Sequence, residues 1–120
     1  MLSKGTTFIR KGHVWFNLTE ATDKNRYVLC VNFTCLDDEC IDDECQLENA
    51  DYSWIEKGYP TTIAFSFAQT WDADKIENCL KSGHLRKPDN GDVPISTVDK
   101  VIKVAKTSNH LSPDKRALIP

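Results

Sequence analysis

The spacing of apolar residues changes once along the 120-residue chain, near residue 71, and this change constrains the fold more than any other feature. Before it, apolar side chains recur at every second position, as in "HVWFN" and "TTIAFSF". After it, in "DKIENCLKSG", they recur at every third or fourth position. Alternation is typical of half-buried strands, whereas the longer period is typical of amphipathic helices. The sequence therefore predicts strands followed by helices, which is an α+β arrangement.

Four or five strands are predicted before the change. The segment "TTFIRKGHVWFNLTE" predicts two short strands joined by a turn at Gly12. The nearly continuous apolar run "RYVLCVNFT" predicts the central strand of the sheet. Part of "CQLENADYSWI" is predicted to add a short edge strand. The segment "YPTTIAFSFAQTW" predicts one further strand, with Ile63, Phe65 and Phe67 on the same side.

Two helices are predicted after the strands. The first spans about residues 73–82, with Asp72 as the N-cap and Gly83 as the C-terminal cap. The second spans about residues 97–107, and Ser96 begins a sequence with capping-box spacing. Together the elements predict a small, β-rich α+β domain, most simply a partly closed antiparallel β-barrel with helices at one side.

Length and composition predict one domain over residues 1–120, with the barrel at about residues 5–71. Apolar residues make up 40% of the chain and charged residues 28%, as in ordinary globular proteins. No apolar run approaches the roughly 20 residues that a membrane-spanning helix needs. The start "MLSKGTTFIRKG" lacks the apolar segment of a signal peptide, which predicts a cytoplasmic protein.

The charge is unevenly distributed along the chain. Residues 35–57 carry a net charge of −8, whereas residues 1–34 carry +3 and residues 81–120 carry +4. Both ends can therefore attract a polyanion while the middle repels it. This distribution is compatible with nucleic-acid binding.

Three of the five cysteines lie in the acidic segment "CLDDECIDDEC", which admits a metal site, a redox device or an acidic loop. Cys35, Cys40 and Cys45 supply three thiolates with no histidine nearby, one ligand short of a structural zinc site. The surrounding carboxylates also disfavour thiolate formation. A solvated acidic loop is therefore the favoured interpretation, and no metal or other cofactor is predicted.

The segments "RKGHVWFNL", "VLCVNFT" and "PTTIAFSFAQTWDADKI" together resemble the PemK/MazF toxin family over roughly residues 9–80. The resemblance implies a divergent SH3-like barrel that forms a homodimer, pairs with an antitoxin-like protein and cleaves single-stranded RNA without a metal. The chain departs from the family pattern in "EATDKNRY", which contains an arginine but no Arg-Pro pair. Either two family strands have become one, or Arg26 is not the family's arginine.

The resemblance also implies which residues form a site. Arg26 is the predicted catalytic arginine, because a guanidinium can make two parallel bonds to phosphate. Thr34, at the end of the central strand, is predicted to hydrogen-bond the same phosphate. Lys11 and His13 are the predicted substrate-binding residues, and His13 has an imidazole that titrates near neutrality. Against these roles stand ordinary ones, in which Arg26 and His13 are surface residues and Thr34 is chosen for its strand propensity.

The role of the tryptophans, the catalytic activity of the fold and the role of the acidic segment each have an alternative interpretation. Trp15, Trp54 and Trp71 either stack nucleic-acid bases or build the core or an interface. An alternative function is that of a non-catalytic barrel of the same fold, including one encoded by a phage or mobile element, which would bind a protein or nucleic acid instead of cleaving RNA. A third hypothesis is an acidic protein that occupies a partner's basic site through residues 37–44.

Overall fold

The structure is a computed structural model that describes residues 2–35, 42–47 and 61–120. These ranges contain six strands, three α-helices and one 3-10 turn at Phe65–Phe67. The strands are β1 (Thr7–Arg10), β2 (His13–Asn17), β3 (Tyr27–Cys35), β4 (Gln46–Leu47), β5 (Thr61–Ile63) and β6 (Gln69–Asp72). The helices are α1 (Ala73–Ser82), α2 (Ile95–Ala105) and α3 (Pro113–Arg116). The predicted α+β class is confirmed.

The first two strands form a tight hairpin. Arg10 at the end of β1 lies opposite His13 at the start of β2. Lys11 and Gly12 form the turn with φ of 51° and 79°. Positive φ at both central residues is what a two-residue type I′ hairpin turn requires, and glycine adopts it without steric cost. The predicted turn at Gly12 is therefore confirmed.

Strand β3 is the centre of the sheet, as predicted. It has nine residues and pairs with β2 along one edge and with both β5 and β6 along the other. All pairs are antiparallel, in the order β1-β2-β3-β5-β4 with β6 beside β3. Among the described residues the end strands β1 and β4 do not pair with each other. The sheet is therefore open, and the predicted partial closure into a barrel is not observed.

The single strand predicted at "YPTTIAFSFAQTW" is wrong, because a bulge divides it into β5 and β6. Phe33 lies opposite Ile63 and Cys30 opposite Gln69. Three steps along β3 thus match six steps along the other strand, so three extra residues bulge out as the 3-10 turn. We call Phe65–Phe67 the bulge. It ends the alternation, since Phe65 is 1% exposed and Phe67 is 67% exposed.

Both faces of the sheet are covered by helices, which differs from the prediction of helices at one side. The larger core packs β2, β3 and β5 against α2; its members include Phe16, Leu29, Phe33, Ile63, Val98 and Val101. The smaller core lies on the opposite face under α1; its members include Phe8, Trp15, Val28, Cys30 and Ile76. Successive strand residues point to opposite faces, so neighbouring apolar residues in β2 and β3 enter different cores.

The helix ends follow local signals only in part. The Asp72 carboxylate accepts a hydrogen bond from the backbone N–H of Asp74, and Gly83 ends α1 with φ of 84°. Both predicted caps of this helix are confirmed. Helix α2 starts directly after Pro94 without a side-chain cap. The capping role predicted for Ser96 is wrong, because this residue lies inside the helix.

Candidate nucleic-acid interface

Helix α1 covers only part of its face of the sheet and leaves a cleft beside it. The face contains Phe8, Arg10, His13, Trp15 and Asn32, because the register places Phe8 opposite Trp15, Arg10 opposite His13, and Trp15 opposite Asn32. Phe8 and Trp15 belong to the core beneath α1. The uncovered part forms a cleft of about 430 Å³, which we call the strand-face cleft. Its size is typical of ligand sites.

The cleft has a buried floor and an exposed rim. Trp15 and Asn32 line it with exposed fractions of only 6% and 4%, and they form the floor. His13, Phe67 and Gln69 line it as exposed residues and form the rim. Phe67 reaches the rim because of the bulge, which turns this ring away from the core that holds Phe65. A large apolar side chain that remains exposed beside a cleft is available for a ligand.

Two tryptophans and one arginine form a stacked group at one end of the cleft. The rings of Trp15 and Trp71 meet edge to face with centroids 4.8 Å apart. The Arg10 guanidinium carbon lies 5.0 Å from the centroid of the Trp71 ring, within cation–π distance. In the described part of the chain, no carboxylate forms a salt bridge with Arg10. Arg10 is therefore a cation at the cleft that forms no salt bridge with any of the described carboxylates.

The floor of the cleft contains one unpaired donor and one unpaired acceptor. Within the described residues, neither Trp15 Nε1 nor Asn32 Oδ1 has a hydrogen-bond partner, although both atoms are buried. Asn32 Nδ2 donates to the Phe33 carbonyl at 3.2 Å, which fixes the orientation of the amide and leaves Oδ1 unpaired. Buried polar groups are normally satisfied, and leaving one unpaired costs about 1–3 kcal/mol. Of the four buried side-chain atoms without a hydrogen-bond partner among the described residues, these two line the cleft, and the others are Asn17 Oδ1 and Asp42 Oδ1.

A smaller pocket of about 210 Å³ continues past the Arg10–Trp71 pair beneath α1. Its lining includes apolar Ile76 and Leu85 and, on the polar side, Lys75 and Asp72. Lys11 in the hairpin turn adds a further cation close to Arg10. The cations at this side of the molecule fit the net charge of +3 that the sequence assigns to residues 1–34.

Arg26 lies away from this cleft and is already paired. Its Nε and Nη2 atoms donate to the two carboxylate oxygens of Asp74 at 3.1 and 2.6 Å, and Nη1 donates to the Thr22 carbonyl at 3.3 Å. The hydrogen bond to Asp74 raises the pKa of Arg26 and lowers the pKa of Asp74. This fork-to-carboxylate geometry is the one that Arg26 was predicted to make with a phosphate.

Arg26 and Thr34, the two predicted catalytic residues, lie towards opposite ends of β3. Arg26 precedes β3 and Thr34 lies near its end, so eight residues of extended chain separate their Cα atoms by about 26 Å. One phosphate cannot contact both side chains. Thr34 instead lines the strand-face cleft together with His13. The structure thus brings Thr34 and His13 together, with Lys11 in the adjoining turn, and leaves Arg26 out.

Several residues of the cleft were not among the site residues predicted from the sequence. The hairpin pattern "RKGHVW" contained the signal for Arg10, because a two-residue turn places the residues flanking it opposite each other on one face. Asn32 and Gln69 gave no local signal. Their position follows from pairing between segments far apart in the chain. Trp71 was considered for base stacking, whereas Trp54 lies outside the described residues.

The acidic cysteine segment is only partly described. Cys40 and the acidic residues 37–39 lie outside the described residues, and for Cys35 only the backbone is described. One of the described acids, Asp42, is buried and not solvated, which corrects the prediction at this position. Asp42 is 3% exposed and accepts hydrogen bonds from the backbone N–H and the hydroxyl of Ser66. This contact attaches the segment to the bulge.

Glu44 attaches the same segment to the C-terminal region. Its carboxylate accepts hydrogen bonds from the Ser108 hydroxyl and from the backbone N–H groups of Asn109 and His110. Partial burial opposes ionisation, but the three hydrogen bonds outweigh it and lower the pKa of Glu44. In residues 2–35, 42–47 and 61–120, no three His, Cys, Asp or Glu side chains cluster in a way that would hold a metal ion.

Comparison with protein-family models, with curated proteins and with solved structures finds no match for this chain. The described ranges also contain no helix with the length and apolarity needed to span a membrane. The cleft is therefore interpreted from its own chemistry.

Proposed function

We propose that this protein binds single-stranded RNA through the strand-face cleft. The observation that carries the proposal is one accessible face that combines exposed Phe67, the half-buried ring of Trp71 and the cation of Arg10. Proteins that bind single strands use aromatic rings on which bases stack, together with cations that follow the backbone. Lys11 extends the cationic side of the cleft. The cleft is thus suited to a strand whose bases are unpaired.

The same proposal includes a cytoplasmic location and a divergent PemK/MazF-like fold, whose described strands form an open sheet. The likeness in fold is supported by the antiparallel β1-β2-β3 meander and by the long strand that two shorter strands share. A reducing compartment is supported by the odd number of cysteines and by the free thiols of Cys30 and Cys79. The homodimer and the antitoxin-like partner stay predictions.

The proposal is tested by fluorescence anisotropy with a labelled single-stranded RNA dodecamer and the duplex of the same sequence. We expect the single strand to bind more tightly, with an affinity that falls as salt rises. Arg10→Gln should weaken binding about ten-fold and reduce the salt dependence. Arg26→Gln is the matched control, since it removes the same charge outside the cleft. Equal affinities for Arg10→Gln and the unmodified protein, or no binding of any RNA, would refute the proposal.

A second candidate function is metal-independent RNA cleavage, which the shared cleft position of Arg10, His13 and Thr34 favours. In this reaction the ribose 2′-oxygen bonds to the adjacent phosphorus as the bond to the 5′-oxygen breaks, which gives a cyclic phosphate, and the departing 5′-oxygen takes a proton from water. His13 would accept the 2′-hydroxyl proton, and Arg10 would stabilise the charge on the phosphate.

The cleavage hypothesis is tested by incubating long single-stranded RNA with the protein in a chelator. The expected result is cleavage that His13→Ala abolishes while RNA binding is retained. Intact RNA in the presence of saturating protein would leave binding as the function of the cleft.

A further inference from the structure

We infer that the floor of the strand-face cleft holds one unpaired nucleobase by its edge, with Trp15 Nε1–H donating to a base acceptor and Asn32 Oδ1 accepting from a base N–H. This inference rests on the proposed binding of single-stranded RNA. It adds that the edge of one base is recognised by hydrogen bonds. Stacking and charge alone would not read that edge.

The two unpaired atoms belong to residues that are cross-strand neighbours. Trp15 and Asn32 lie directly opposite each other on neighbouring strands, so their side chains leave the sheet side by side. Trp15 presents a donor and Asn32 an acceptor, and neither atom has a partner among the described residues. Nucleobases carry acceptors and N–H donors side by side on their edges, and single-stranded RNA is read through such edges.

The chemistry of the floor favours a base over a phosphate. A phosphate offers only acceptor oxygens, so it would leave Asn32 Oδ1 unpaired and place negative charge against it. The amide cannot turn its Nδ2 into the cleft without losing the hydrogen bond to the Phe33 carbonyl. The positive charge lies at one end of the cleft instead, where Arg10 meets Trp71. The backbone of the strand therefore passes Arg10 while the base enters the floor.

Access to the floor requires a ligand to pass the rim. Trp15 Nε1 and Asn32 Oδ1 are occluded, and the exposed side chains of Phe67 and Gln69 line the same cleft. A base that enters between these side chains can stack on Phe67 while its edge reaches the floor. Displacing two surface side chains costs less free energy than is gained when two buried polar atoms find hydrogen-bond partners.

The test replaces Trp15 by 3-benzothienylalanine, which substitutes sulfur for the indole N–H and keeps the two fused rings. The analogue should bind the RNA dodecamer roughly ten-fold more weakly, as expected for one lost hydrogen bond. It should bind an all-abasic dodecamer as the unmodified protein does, because that ligand has no base edge. Trp15→Phe provides a second variant that also lacks the donor. Circular dichroism establishes that each variant is folded.

A spectroscopic measurement separates this inference from the proposed function. In the unmodified protein, the Trp15 indole proton should shift downfield when adenosine or cytidine monophosphate is added, and ribose 5-phosphate should leave it unchanged. If RNA binds but neither the analogue nor the indole signal responds, the base-edge inference is wrong and the proposed function survives. If nucleotides shift the indole signal but no RNA binds, the proposed function is wrong and the floor of the cleft still binds a base edge. If neither ligand has an effect, both are overturned.

Discussion

Two phenylalanines in the bulge provide the sharpest test of the structure, because the sequence gives them the same role and the structure gives them opposite ones. Alternation places Phe65 and Phe67 on one side of a single strand. The bulge instead buries Phe65 to 1% exposure and leaves Phe67 67% exposed beside the cleft. Replacing each by alanine therefore has a different expected effect on stability and on RNA binding.

The expected magnitudes follow from burial. Phe65→Ala removes a fully buried ring from the larger core and should lower the free energy of unfolding by about 3–5 kcal/mol. Phe67→Ala removes a mostly exposed ring and should change it by less than about 0.5 kcal/mol. If one base stacks on Phe67, its loss should cost about 1–3 kcal/mol of binding free energy. This range corresponds to a decrease in RNA affinity of about 5- to 150-fold.

Urea denaturation followed by tryptophan fluorescence gives the stabilities, and anisotropy with the RNA dodecamer gives the affinities. The expected pattern is a stable Phe67→Ala protein that binds poorly. Equal destabilisation by both substitutions would mean that alternation continues through residues 65–67 and that the bulge does not exist. A stable Phe67→Ala protein with full RNA affinity would mean that the ring does not contact the ligand.

Three further predictions concern groups outside the cleft. Arg26→Gln and Asp74→Asn should lower the melting temperature by similar amounts, and the double variant should lose little more, because all three remove one ion pair; additive losses would contradict this. Glu44→Gln should destabilise the protein at pH 7 and have little effect at pH 3. The lowered pKa of Glu44 stabilises the fold above about pH 4.3, and this contribution disappears as the pH falls through the pKa of the folded state. Melting temperatures that differ equally from the unmodified protein at both pH values would refute this prediction. Burial raises the pKa of the Cys30 thiol, so iodoacetamide should modify half-buried Cys79 before Cys30. If mass spectrometry finds both thiols modified at the same rate, the buried placement of Cys30 is contradicted.

Elements with local signals were predictable from the sequence. The Gly12 turn, the apolar central strand and the caps of α1 at Asp72 and Gly83 each depend on residues a few positions apart. Turn chemistry and capping act over this range, so sequence spacing carries them. The alternation in β2 also indicated correctly that Trp15 shares a face with His13.

Features set by pairing between distant segments were not predictable. The bulge arises from how residues 61–72 pair with β3, and their own alternation gives no sign of it. The partner of Arg26 is Asp74, 48 positions away, and no pattern near Arg26 indicates it. The cleft likewise depends on which part of the sheet α1 leaves uncovered. These outcomes depend on tertiary packing, which overrides local propensity.

The bulge also bears on how a chain of this type can diversify. Because β5 and β6 each keep their own pairing with β3 on either side of it, residues gained or lost there change neither ladder. Insertions and deletions at this point would remodel the rim while most of the surrounding scaffold remained the same. Proteins that descend from one ancestor can thus bind different ligands and still share the same strand pairing.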